Sequence, residues 1–195
     1  MMNWETYLAF GDSITIGART YLGYPEIVGN TLSTRLAKQW NVINHSVSGF
    51  KAIDLARYID QHFANLKSFQ ASISTILIGT NDLKEHTSAH DFLIAYNQLI
   101  LKVKLLTTNK NVVLIQIPEF HQGLMYPYFI EMNETAAQFN SIIDKLADEH
   151  SIRVLKLEHS AKDFLDGIHL NEAGNKNFAR QISSYILNDK GIQNG

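Results

Sequence analysis

Asp166 and His169 stand three residues apart in "DGIHLN", and a serine, Ser13, lies in "FGDSIT" near the other end of the chain. A serine hydroxyl attacks well only when a neighbouring base takes its proton. A histidine base in turn needs an acceptor that fixes its tautomer and stabilises its charged form. A loop leading into a helix that begins near Asn171 can aim Asp166 and His169 at one point, with Asp166 accepting from one ring nitrogen while the other faces Ser13. Acyl transfer also needs donors aimed at the developing oxyanion, each worth about 10² to 10³ in turnover. Gly49, in "SVSGF", can offer its backbone N–H with no side chain to obstruct a close approach, Asn81, in "GTND", can offer its side-chain amide, and Ser13 adds its own N–H. A histidine base makes activity rise from acid toward neutral pH.

Each of these groups also has a plainer reading. Ser13 alone would read as the N-cap of a helix. Asp12 and Asp82 suit loop organisers through Asx-type hydrogen bonds, and Asn171 and Glu172 suit the start of the last helix, with Gly174 allowing it to pack closely. His86 and His90, near Asp82 and Glu85, invite a metal. A helix starting at Ser88 would keep the two histidines off a shared face, so no metal is expected. His45 reads as packed or hydrogen-bonded, and His62, His150 and His159 as surface or terminus residues, while His121 either touches substrate or faces water. Residues 118–129, "PEFHQGLMYPYF", carry Phe120, Leu124, Met125, Tyr126, Tyr128 and Phe129. Together with Phe50, Tyr21 and Tyr24 they suit an acyl or leaving-group pocket, and equally a mini-core or a dimer contact.

The elements that must position these residues are legible from hydrophobic periodicity. Short β-rich runs at 7–10, 42–45, 73–78, 112–117 and 153–157 alternate with amphipathic segments at 27–40, 52–66, 92–106, 133–150 and 172–187, whose apolar residues fall at spacings of 3 and 4. Five strands alternating with five helices predict an α/β protein with a parallel sheet covered on both faces. Right-handed crossovers restrict it to a doubly wound sheet of flavodoxin-like order 2-1-3-4-5. In such sheets ligands gather at the carboxyl ends of the strands. Ser13 follows strand 1, Gly49 strand 2, "GTND" strand 3, 118–129 strand 4 and "DGIHLN" strand 5, so all five loops are expected on one edge.

Bulk properties bound the partners. The 195 residues, 45% hydrophobic and 18% charged, have an ordinary globular composition, and a chain of this size buries roughly 70% of its unfolded surface. A single domain over 1–188 with a polar tail at 189–195 is expected, with no internal repeat or linker. A net charge of -2, with no long run of either sign, speaks against nucleic acid and anionic membranes and favours a small-molecule partner. The absence of cysteine excludes disulfides, thiolate metal sites and a cysteine nucleophile. "MMNWETYLAF" lacks a basic n-region and its apolar run is too short for a signal peptide, so a cytoplasmic protein is expected. No stretch of about 20 apolar residues is present to span a membrane.

"GDSIT" with Ser13, Gly49 after strand 2, "GTND" with Asn81 and "DGIHLN" with Asp166 and His169 together resemble the SGNH (GDSL-type) hydrolases, whose four blocks occur here in family order from residue 11 to residue 174. The resemblance implies a three-layer α/β/α fold, hydrolysis of carboxylic esters or thioesters and no obligatory cofactor. It further implies Ser13 as nucleophile, His169 as base, Asp166 as its orienting partner, and an oxyanion hole of Ser13 N–H, Gly49 N–H and the Asn81 side chain. Departures are small: the nucleophile segment continues as Ile14-Thr15, and Leu170 stands where many members have proline. With Thr at position 15 the segment is not the G-x-S-x-G elbow of the larger α/β-hydrolases. Acetyl esters of sugars, lysophospholipids and acyl-thioesters all fit this reading, as does acyl transfer to an acceptor other than water. A catalytically silent binding protein on the same fold is the alternative from another class, and a glycosidase is weaker because no carboxylate pair stands out.

Overall fold

The computed structural model describes residues 4–108 and 111–188, and the polar tail at 189–195 lies outside the described residues. In chain order the elements are β1 (Trp4–Gly11), α1 (Ser13–Ile16), α2 (Tyr24–Leu36), β2 (Gln39–Asn44), α3 (Ala52–Ser68), β3 (Ile73–Leu77), α4 (Thr80–Lys84), α5 (Ala89–Leu106), β4 (Val112–Ile115), α6 (Met132–His150), β5 (Arg153–Leu155) and α7 (Glu172–Leu187), with a 3₁₀ turn at Ala161–Asp163. The strands form one sheet of order β2-β1-β3-β4-β5, and every neighbouring pair is parallel. Helices α2 and α7 pack on each other, as do α3, α5 and α6 in sequence, giving the two layers that flank the sheet.

The central strands are buried along their whole cores, as strands covered on both faces require: all of Ile73–Leu77, all of Val112–Ile115, and the second half of β1 from Tyr7. Apolar residues of β1, β3 and β4 meet the inner faces of the helices through Phe92, Tyr96, Phe139 and Phe178, and the Phe92 and Phe139 rings stack with centroids 4.0 Å apart. Two buried phenols are satisfied inside this core, Tyr7 by Thr75 Oγ1 at 2.8 Å and Tyr24 by Thr15 Oγ1 at 3.0 Å.

The strand order is the expected one, while several boundaries differ for local reasons. The expected helix at 27–40 overruns its end: Ala37 adopts a left-handed conformation and terminates α2, so Gln39 and Trp40 already belong to β2. The same helix starts earlier, at Tyr24, with Pro25 in its first turn, where a missing N–H costs nothing. Helix α5 starts at Ala89, ahead of the apolar pattern at 92–106 but in line with the helix start expected at Ser88, with the Ser88 side chain accepting from the Asp91 N–H. The "GTND" loop after β3 is itself a short helix, α4, entered through Gly79 with φ of 134°. Among the described residues no helix is long and apolar enough to cross a membrane.

Candidate active site

Ser13 is the first residue of α1, directly beyond the carboxyl end of the inner strand β1. The helix cap is its neighbour: Asp12 Oδ1 accepts from the Ile14 N–H at 3.0 Å. Relieved of capping, the Ser13 hydroxyl points elsewhere, and the residue retains 8% exposure. Its partner is His169, whose Nε2 lies 3.0 Å from Ser13 Oγ, while His169 Nδ1 lies 2.8 Å from Asp166 Oδ2. The three side chains form one hydrogen-bonded chain.

The segment after β5 is shaped to hold that arrangement. A bridge between Phe164 and Leu170, together with the Leu165 N–H to His169 O bond of 2.8 Å, closes a narrow loop around Asp166–His169. Gly167, at φ of 80°, makes the turn, and a Cβ there would lie 2.4 Å from His121 O. Asn171 then caps α7, its side chain accepting from the Gly174 N–H at 2.9 Å. Asp166 Oδ1 accepts from the N–H groups of His169 (2.8 Å) and Ile168 (3.2 Å). Burial alone would raise the Asp166 pKa, but the bonds from the His169 backbone and ring outweigh it and hold the carboxyl below its ordinary value. An ionised Asp166 accepting from Nδ1–H leaves Nε2 bare toward Ser13, the tautomer in which imidazole can take a hydroxyl proton.

A fourth group joins this chain. Arg19 Nη1 donates to Asp166 Oδ2 at 2.6 Å from the loop between α1 and α2, with its side chain 62% exposed. That loop is tied across to α7 by Tyr21 N–H to Glu172 Oε1 at 3.0 Å. Nothing in the local sequence around Arg19 signals a partner 147 positions away.

Gly49 has φ of 85°, and a Cβ built on it would meet nothing within 4 Å. Its glycine therefore serves the left-handed backbone rather than a close approach within the protein. The surrounding loop is anchored to the end of β1 by Val47 N–H to Gly11 O at 3.1 Å. Asn81, buried in α4, donates from Nδ2 to Phe50 O at 3.0 Å and accepts at Oδ1 from the Tyr128 hydroxyl at 3.1 Å. Its amide thus joins the loops after β2, β3 and β4, next to Gly49. The sequence had drawn Tyr128 only into an apolar cluster, so its hydroxyl contact is new.

Asp12 and Asp82 are both fully buried beneath these loops. Burial pushes Asp12 up to about 7, reinforced by the charge of Asp82 and opposed by the Ile14 N–H bond. Burial likewise pushes Asp82 up to about 6, opposed chiefly by the Ala52 N–H, which donates to Asp82 Oδ2 at 2.9 Å. Each carboxyl has one oxygen, Asp12 Oδ2 and Asp82 Oδ1, with no partner at hydrogen-bond geometry. The Thr80 and Thr87 hydroxyls favour the charged forms only weakly.

The remaining candidates fall into place around the site. Tyr24 is wholly inside the core, so it lines no pocket, whereas Tyr21 is 91% exposed. Phe120 is buried against Tyr128, while Met125, Tyr126 and Phe129 of the same loop are exposed. Two asparagines of α6 hold that loop's backbone, Asn133 bonding Phe120 N and O, and Asn140 bonding Ile117 N and O. His45 Nδ1 is bonded to the Tyr58 hydroxyl at 3.1 Å. His159, expected at the surface, is half-buried. It packs on Phe164 and Phe178 with Nδ1 3.0 Å from His121 Nε2, and burial lowers its pKa. His121 in turn donates its N–H to Gly167 O at 3.0 Å, which braces the Asp166–His169 loop. Among the described residues no group of three or more His, Cys, Asp or Glu is placed to hold a metal.

The chain can be set beside known proteins. No curated protein matches it. Among solved structures, an acetyl xylan esterase, AlAXEase, superposes with a TM-score of 0.76 at 22% identity, covering 93% of this chain and 99% of that one. Axe2, an acetylxylan esterase from Geobacillus stearothermophilus, gives 0.70 at 20% over 93% and 94%. A lipase/acylhydrolase from Enterococcus faecalis gives 0.77 at 18% over 93% and 95%. At these identities the likeness is one of fold. The sequence pattern of the GDSL-like Lipase/Acylhydrolase family, by contrast, matches residues 9–176, from the end of β1 into α7. This chain therefore belongs to the GDSL-like lipase/acylhydrolase family and is a carboxylic ester hydrolase.

Proposed function

We propose that this esterase works through an acyl-enzyme on Ser13, with His169 as general base and acid and Asp166 as its orienting partner. As Ser13 Oγ bonds to the ester carbonyl carbon, His169 Nε2 takes the hydroxyl proton and the carbonyl π pair moves onto oxygen. The Ser13 N–H, the Gly49 N–H and the Asn81 amide stabilise that oxyanion. Collapse breaks the bond to the leaving alkoxide, which takes the proton from His169. Water then repeats the sequence, releasing the acid and returning the proton to Ser13.

The observation that carries this reading is the unbroken chain Asp166–His169–Ser13, with bonds of 2.8 and 3.0 Å. We take one catalytic domain over 1–188 as the unit, because the sheet that supports Ser13 also supports every other group invoked. The expected substrate is a small ester with a short acyl group, by analogy with the acetyl xylan esterases that share the fold.

The test is turnover of p-nitrophenyl esters of increasing acyl length by the protein and its Ser13→Ala variant, with fluorophosphonate labelling in parallel. Ser13→Ala should keep the wild-type melting point, lose labelling and lose at least about 10⁴-fold in kcat. Near-wild-type turnover by that variant would remove the assignment.

A further inference from the structure

Asn81 offers one acceptor and two N–H donors. Phe50 O is an acceptor only, so Nδ2 must be the side that faces it at 3.0 Å, and Oδ1 is thereby turned to the Tyr128 hydroxyl, which donates to it at 3.1 Å. One amide hydrogen is left over. We propose that Tyr128 is a positioning residue of the oxyanion hole, its hydroxyl locking the Asn81 amide so that this remaining N–H faces the oxygen that becomes negative when Ser13 attacks. The inference rests on the acyl-enzyme reading above and extends it to a residue on a different loop.

Three features make Tyr128 suited to the task. Its ring stands edge-on to the buried Phe120, with centroids 5.6 Å apart at 88°, and Phe120 is itself bonded through N and O to Asn133 of α6. The hydroxyl therefore sits on a rigid mount despite coming from a loop. Second, the phenol stays a donor across the working range: burial pushes its pKa up to about 12, and the negative charges of Asp12, Glu85 and Asp166 act in the same sense. The 3.1 Å bond to the buried Asn81 places the Tyr128 hydroxyl inward rather than on the outer face of its loop.

The third feature is what the lock prevents. An asparagine amide turns on a broad, roughly two-fold torsion. Without a donor on Oδ1 the amide is held by the Phe50 O bond alone, and it can swing about that single contact and carry its remaining N–H away from the oxyanion. Donation to Oδ1 also polarises the amide and strengthens its N–H as a donor. Exposed residues of the same loop, Met125, Tyr126 and Phe129, lie beside Tyr128 in sequence. The competing role for Tyr128 is thus a wall contact with the acyl chain, and the experiment must separate the two.

A double-mutant cycle on kcat and KM does so, using Tyr128→Phe, Asn81→Ala and the pair, with p-nitrophenyl acetate and butyrate. Phenylalanine keeps the ring against Phe120 and removes only the hydroxyl. Tyr128→Phe should lower kcat about 5- to 30-fold with KM within about twofold, less than the loss of about 10² to 10³ for Asn81→Ala. In the Asn81→Ala background the same change should alter kcat less than about twofold, because its route of action is gone. Equal losses in both backgrounds, an unchanged kcat, or a KM that rises with acyl length would each overturn the proposal.

A second readout does not depend on a variant folding. In wild-type protein labelled with ¹⁵N, one of the two Asn81 side-chain amide protons should move downfield in the phosphonate adduct, while the one bonded to Phe50 O stays in place. Two Asn81 amide protons that both stay unmoved in the adduct would refute the proposal. Loss of Ser13-dependent turnover in the wild type would instead defeat the acyl-enzyme reading, and the inference with it. Ser13-dependent turnover with an unmoved Tyr128→Phe defeats the positioning role alone.

Discussion

Replacing Asp166 by asparagine should do more harm than removing its side chain, and the hydrogen bonds say why. Asp166 Oδ1 accepts from two backbone donors, Ile168 N–H at 3.2 Å and His169 N–H at 2.8 Å. In Asp166→Asn the amide oxygen must take that place, since the amide nitrogen cannot accept. The NH₂ group then occupies the Oδ2 position, 2.8 Å from His169 Nδ1 and 2.6 Å from Arg19 Nη1. Donor would face donor unless His169 shifts its proton to Nε2. In that tautomer Nε2 cannot take the Ser13 proton, and kcat should fall about 10⁴-fold, equivalent to about 5 kcal/mol of transition-state stabilisation. Asp166→Ala leaves the imidazole free to find the productive tautomer through water, so its loss should be smaller, about 10² to 10³. Stability should change little in Asp166→Asn, which keeps both backbone bonds and loses an ion pair whose Arg19 is 62% exposed, worth at most about 1 kcal/mol. Asp166→Ala also gives up the Ile168 and His169 N–H bonds and should cost about 1 to 3 kcal/mol. The assay is kcat for p-nitrophenyl acetate at neutral pH, with melting curves as the folding control. An asparagine variant within tenfold of wild type, or more active than the alanine variant, would refute the tautomer argument.

The buried acids set a pH dependence of stability with a definite sign. Asp12 and Asp82 are raised to about 7 and about 6, so between about pH 4 and 7 the folded state holds protons that the unfolded chain has released. Unfolding free energy should therefore fall as pH rises through that window, by at most about 4 kcal/mol for Asp12. Below about pH 4 the sign reverses for Asp166, whose lowered pKa makes its contribution disappear as pH falls. Asp12→Asn can keep the Ile14 N–H bond through its oxygen, and urea melts from pH 4 to 8 should show a flatter profile and a gain at pH 7; an unchanged slope would contradict the assignment. Gly167→Ala forces φ of 80° on a residue with a Cβ and drives that Cβ to 2.4 Å from His121 O. A cost of about 2 kcal/mol, seen as a melting point lower by about 4 to 8 °C with reduced kcat, is expected; wild-type values for both would show that the loop relaxes without strain.

Much of this molecule is legible in its residues one segment at a time. Continuous apolar runs such as Val112–Ile115 announce strands buried on both faces, and their alternation with amphipathic helices points to a parallel doubly wound sheet, whose order in the structure is 2-1-3-4-5. The strand-end rule then puts Ser13, Asn81 and the Asp166–His169 loop on one edge before any contact is known. Helix ends were less legible, because the left-handed turn at Ala37 that stops α2 carries no glycine or proline signal. Only the tertiary structure decided which loop groups meet: Arg19 with Asp166 across 147 positions, Tyr128 with Asn81 across 47, and His121 with His159. It also drew Tyr24 into the core. Periodicity and capping are local interactions between residues a few positions apart, so the sequence determines them directly. Contacts between loops depend on how each loop packs once the sheet has brought their ends together, and no pattern within a single loop encodes the partner it will find.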